Sequence, residues 1–182
     1  MALINTTTTG VLGSTFYGDG TGDLTIQQNG VLVNKITSNG LTYRGTGSVL
    51  QVVQYAANPG VFSTASTSYV ATNTAATITP SSTSSKILIF YNAVLYGNQA
   101  ACQPVHTVYR GATDLASTNA RGLGQIYSAG SAMQAHGTGI LLDSPATTSA
   151  TTYTVYVKLN LGTLQWGSDG GAQVMILMEI AG

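Results

Sequence analysis

Residues 151–159 read Thr-Thr-Tyr-Thr-Val-Tyr-Val-Lys-Leu, and their alternation decides the fold class. Successive side chains of an extended chain point to opposite faces. Tyr153, Val155, Val157 and Leu159 therefore share one face, and Thr152, Thr154, Tyr156 and Lys158 share the other. An apolar face backed by a polar one, built from β-branched and aromatic residues, is a strand with one side on a core.

The same pattern recurs through residues 47–182. In residues 48–55, Val49, Gln51, Val53 and Tyr55 fall on one face and Leu50, Val52 and Gln54 on the other. KILIFYNAVLY, residues 86–96, is the longest candidate strand. Its near-continuous apolarity predicts burial on both faces. Residues 68–71, 75–79, 104–110, 122–128, 131–142 and 173–180 complete a set of short strands. Turn signals separate them: Asn58-Pro59-Gly60, the Pro80 and serine run to Ser85, Gly111 to Asp114, and residues 143–150 around Pro145. No stretch of ten or more residues carries a capped helical period. The nearest rival, residues 130–139, is closed by glycines at both ends and holds Gly137. The expectation is an all-β domain, an antiparallel β-sandwich, with a jelly roll as the best single topology.

Residues 1–46 read differently. Thr6 to Thr9 is followed by Gly10, Gly13, Gly18, Gly20 and Gly22, and large apolar side chains are sparse. Residues 23–28 and 31–37 are short strand candidates joined by Asn29-Gly30, a strong two-residue hairpin signal. Asn39-Gly40 offers a second turn, and residues 41–43 a third strand. Such a segment cannot easily fold alone. It is expected to be an extended β-arm that pairs with another chain or lies along a surface. The chain thus divides into an attachment segment, 1–46, and a sandwich domain, 47–182.

Only 7% of the side chains are charged, against roughly 25% in an ordinary domain. The formal net charge is zero, which gives a lone monomer weak protection against association. Assembly is the expectation. Lys35, Lys86, Lys158, Arg44, Arg110 and Arg121 are scattered singly, so nucleic acid is not an expected partner. The single cysteine, Cys102, permits no intrachain disulfide. The N-terminus lacks a signal-peptide pattern, and the longest apolar run, residues 174–178, is far short of the ~20 residues that cross a membrane. Synthesis in a cytoplasm follows, without a membrane partner, and the final location stays open.

Several phrases in residues 47–182 resemble a module of tailed-bacteriophage virion proteins, particularly those of cyanophages and other aquatic phages. They are GSVLQVVQ (47–54), TITPSSTSSKILI (77–89), VYRGATDLA (108–116), LLDSPATTSATTYTVYVK (141–158) and MILMEIAG (175–182). The resemblance implies a trimeric β-sandwich head on an N-terminal attachment segment, in a fibre or another structural virion component. It brings no catalytic residues. Such modules often end much longer fibres, whereas 46 residues precede this one. That favours a capsid decoration (cement) protein or short head fibre on the virion surface. Its partners would be copies of itself and, through the arm, the major capsid protein or another virion protein. The alternative is a tail-fibre, receptor-binding tip that recognises a host-surface glycan.

Motifs for chemistry are weak. Asp19 to Asp23 places oxygens at alternate positions, but Leu24 and Gly30 stand where a calcium loop needs Gly and Glu. His106 and His136 lie in separate strands without ligand partners at useful spacing. Asp114 and Asp143 are expected to cap turns, and Glu179 to pair with Lys86, Lys158 or an arginine. No carboxylate pair and no G-x-S-x-G elbow is apparent. No enzyme activity, cofactor or metal is expected. Tyr and Trp suit contact surfaces, and Trp166, Tyr96 and Tyr127 are the candidate contact residues. Trp166, in a turn-rich segment, is expected near an interface or distal tip.

Overall fold

The computed structural model describes four strands between residues 15 and 42 and every residue from 46 to 182. The first strands are β1 (Thr15–Gly18), β2 (Leu24–Gln28), β3 (Val31–Thr37) and β4 (Gly40–Thr42). They pair in the order β1-β2-β3-β4 as an antiparallel meander. The strands expected at 23–28, 31–37 and around Leu41 are present, and β1 is an addition. They pair with one another, and β1 and β4 form the two edges of this sheet. The Asn29-Gly30 turn, Asn39, Tyr43 and the Asp19 to Asp23 loop lie outside the described residues.

Eleven further strands build the remainder. They are β5 (Val49–Ala57), β6 (Phe62–Thr64), β7 (Val70–Ile78), β8 (Lys86–Gly97), β9 (Val105–Arg110), β10 (Thr113–Asp114), β11 (Gly124–Gln125), β12 (Met133–Asp143), β13 (Thr151–Lys158), β14 (Leu164–Trp166) and β15 (Gln173–Ile180). All pairings are antiparallel. In sheet one, β8 holds β12 along one edge. Its other edge holds β15 at one end and β14 at the other. Outside these lie β5 and β6. In sheet two the order is β7-β13-β9, with the short β10 and β11 on the far edge of β9.

Taking β5 with β6, β10 with β11 and β14 with β15 as single positions leaves eight strands. Sheet one then holds the first, eighth, third and sixth; sheet two holds the second, seventh, fourth and fifth. This interleaving is a jelly roll, two Greek keys wound into a sandwich. Its ends meet: Gly47 N–H donates to Ala181 O and Ala181 N–H to Ser48 O, each at 2.8 Å.

Period-two sequence supplies the core. Ile87, Ile89, Tyr91, Ala93 and Leu95 of β8 face Tyr153, Val155 and Val157 of β13, all buried. The facing assigned to residues 151–159 holds. Each large apolar side chain buried this way contributes roughly 1.5–3 kcal/mol. The segments expected at 68–71 and 75–79 are one strand, β7, with a register shift opposite Thr154 and Tyr156. Residues 122–128 give only the two-residue β11, because Gly122 takes φ 58° and turns the chain there.

Candidate functional site

The outward face of sheet one is the most unusual surface. Pairing registers place Leu142, Leu88, Met178 and Val52 in one row across β12, β8, β15 and β5. The next row is Ile140, Phe90, Ile176 and Gln54. A third is Thr138, Asn92, Val174 and Ala56. No residue in the three rows is charged. Ile140 is 60% exposed, Val52 56% and Leu142 51%. A dimple of about 230 Å³ lies between Phe90, Asn92, Thr138, Val174 and Ile176.

This face corrects the reading of residues 86–96. Only the odd-numbered side chains enter the sandwich core; Leu88, Phe90, Val94 and Tyr96 are half-buried on the outward side. The apolarity of both faces was legible, but no second layer of this domain covers the outer one. Tyr96, a candidate contact residue, stands on this side of β8 opposite Gln134 and Gln165.

Tyr127 lies elsewhere, beyond β11, and is 57% exposed. It borders a polar groove with Gln103, Arg121 and Gln125. Trp166 corrects the expectation made for it. It is fully buried in β14, not at an interface or tip. Its Nε1–H donates to Thr74 Oγ1 at 2.8 Å, and the Thr74 hydroxyl donates to Gln173 Oε1 at 2.7 Å. Gln173 Nε2 closes the chain on Gly60 O at 2.9 Å. The indole spans the gap between the sheets because β12 gives way. A Cβ on Gly137 would meet the Trp166 ring, and one on Gly139 the Tyr91 ring.

His106 completes this inner cluster. Its Nδ1 shares a hydrogen bond with Tyr91 Oη at 2.7 Å, with the rings edge to face. Burial pushes its pKa down to about 4, so it is neutral at pH 7. His136 is exposed on the outer side of β12, where its Nδ1 meets Asn92 Oδ1 at 3.0 Å. The two histidines are not brought together.

The described carboxylates are engaged singly. Asp114 accepts from the Thr107 hydroxyl and caps Ala116 N–H, as its turn position predicts. Asp143 instead binds Arg110 at 2.7 Å and the Tyr153 hydroxyl at 2.7 Å, so a turn-capping role gives way to a bridge between β12, β9 and β13. Asp169 accepts from Gln134 Nε2. Glu179 contradicts the expected ion pair. It is buried and accepts from Ser81 N–H, the Ser81 and Ser85 hydroxyls and Gln51 Nε2 at 2.6–2.7 Å. Burial alone would raise its pKa; the bonds from Ser85, Gln51 and Ser81 together outweigh that and hold it near 2. Among the described residues no cluster of three His, Cys, Asp or Glu could hold a metal ion. No described helix is long and apolar enough to cross a membrane. Compared with protein-family models and with curated proteins, the chain matches none.

Proposed function

We propose that this chain is a structural component of a tailed-phage virion that assembles as a homotrimer through the outward face of sheet one. The observation that carries this reading is the apolar patch without charge that the three rows form across β12, β8, β15 and β5. Contiguous exposed apolar surface on a β-sandwich calls for a covering partner. A patch without charge offers nothing to a charged partner; three copies that turn it toward a shared three-fold axis would each cover part of a neighbour's. The dimple between Phe90 and Ile176 would seat a side chain of the neighbouring copy.

The virion assignment rests on the phrases that resemble phage structural proteins. Residues 1–46 then serve as the attachment segment that holds the trimer on the major capsid protein or another virion protein. Three weak attachments acting together give strong binding by avidity. Decoration and reinforcement of the capsid, as a cement protein or short head fibre, is the role that suits so few ionisable groups. A chain lacking residues 1–40 should remain an assembled, folded sandwich and lose binding to particles. Particle binding retained by that truncation contradicts the attachment role. A second reading, a fibre tip that recognises a host-surface glycan, is favoured by the polar groove beside exposed Tyr127.

A further inference from the structure

Where the loop of residues 119–127 meets β9, a groove opens at the edge of sheet two. Its two lobes, about 570 and 550 Å³, share Gln103, Arg121 and Gln125. Small-molecule sites have volumes of about 300–1,000 Å³, usually with apolar walls. Here the amide and cationic groups of Gln103, Gln125, Arg121 and Lys158 share the walls with apolar Leu123 and Leu159. Arg121 and Lys158 both line one lobe, two of the chain's six cationic side chains, and no Asp or Glu lines either lobe. An apolar ligand would strip water from these groups without replacing its hydrogen bonds.

The groove is held in place before anything binds. Gln125 Nε2 donates to Gln103 Oε1 at 3.0 Å, which leaves the Gln103 amide nitrogen as a donor and the Gln125 amide oxygen as an acceptor for a ligand. The loop behind them is fastened to the strand end. Leu123 N–H donates to His106 O at 2.9 Å and Ile126 N–H to Pro104 O at 3.0 Å. Gly122, at φ 58°, and Gly124 lie so close to His106 that a Cβ on either would collide with it. A wall with fixed backbone loses little freedom on binding.

We infer that this groove binds an acidic saccharide, an oligosaccharide carrying a uronic- or sialic-acid carboxylate. Neighbouring sugar hydroxyls are each donor and acceptor, and they match the paired amide groups. Tyr127, exposed at the rim, offers an aromatic face to the C–H face of a sugar ring and a hydroxyl at its tip. The Arg121 guanidinium takes a carboxylate through two parallel hydrogen bonds, and Lys158 adds positive charge in the adjoining lobe. A simple anion would use the cations and leave the amide pair and the aromatic rim unused. The inference rests on the glycan-tip reading and is independent of the apolar face on sheet one.

The test uses the full chain and matched probes: trigalacturonate against its carboxyl-reduced trimer, and sialyllactose against lactose. Binding is measured by titration, with assembly state checked in parallel. At least one acidic member should bind more tightly than its neutral partner. Arg121→Gln should weaken that binding about tenfold, with little effect on the neutral probe. Tyr127→Ala should weaken both forms. Both positions are exposed, and thermal melting confirms that the variants fold. Equal binding of acid and neutral forms overturns the acidic assignment and leaves the glycan tip standing. Binding to none of the probes overturns both. Binding that neither substitution changes overturns the placement in this groove.

Discussion

The two outward faces of the sandwich are built from the same strand period and look nothing alike. On sheet two, Thr77 and Thr152 share a hydrogen bond at 2.7 Å across β7 and β13. Tyr109 and Tyr156 stack with centroids 4.0 Å apart, and Lys158 Nζ lies 4.3 Å from the centre of the Tyr69 ring. That face ends in hydroxyls, amides and a cation, and it can meet water. On sheet one the equivalent positions are Leu88, Phe90, Ile140, Leu142, Ile176 and Met178, with no charge among them. The difference is what the proposed assembly accounts for: one face suits solvent, and the other would be covered by a protein layer. Sheet pairing and core packing alone would not require it, because both inner faces already supply the core.

The largest effect should come from breaking the apolar face. Phe90→Lys combined with Ile140→Lys should convert the assembly to a folded monomer, while Thr154→Lys on sheet two should leave it assembled. Sedimentation velocity reads the difference. Charges placed on a covered face must be desolvated without partners, at a cost of several kcal/mol. Next in size is the joint between the sheets. Trp166→Ala should destabilise the domain by about 3–5 kcal/mol in denaturant unfolding, through the cavity left and the lost bond to Thr74.

Acid should act on that joint before it acts on the apolar face. His106 titrates near 4 in the folded state, below its ordinary 6.5. The unfolded chain therefore binds the proton more readily between those values. The stabilisation is fully present above pH 6.5 and fades as pH falls towards 4, by on the order of 3 kcal/mol. His106→Gln should flatten that part of a stability-versus-pH curve. Glu179, held near 2, adds a second loss as pH falls from 4.5 through 2, and Glu179→Gln should remove it. The smallest effect concerns salt. Association through an uncharged face should change little between about 0.1 M and 1 M ionic strength, where exposed ion pairs are screened. A marked loss of assembly with salt would assign the contact to charged groups outside this face.

The alternation in residues 151–159 revealed β13 and its facing, because one side of that strand meets the core and the other meets water. The apolar character of residues 86–96 was equally plain, but a sequence does not say whether a second apolar face meets this domain or another copy. The three-residue β6 and β14 were too short for a period to register. Trp166 misled because Gly167, at φ 74°, and Asp169, at φ 57°, do form a turn, immediately after the strand that buries the indole. Tyr127 stood out as an aromatic residue, yet the groove beside it was invisible. Gln103, Arg121 and Lys158 are distant in the chain and meet only once β9, its loop and β13 are placed.

The most direct measurement is the mass of the full chain by sedimentation equilibrium at micromolar concentration. A homotrimer covering the sheet-one face predicts three times the 18.7 kDa chain mass. It also predicts that Phe90→Lys with Ile140→Lys brings this down to one. A wild-type chain that sediments as a stable monomer, with Ile140 and Leu142 open to water, would contradict the account.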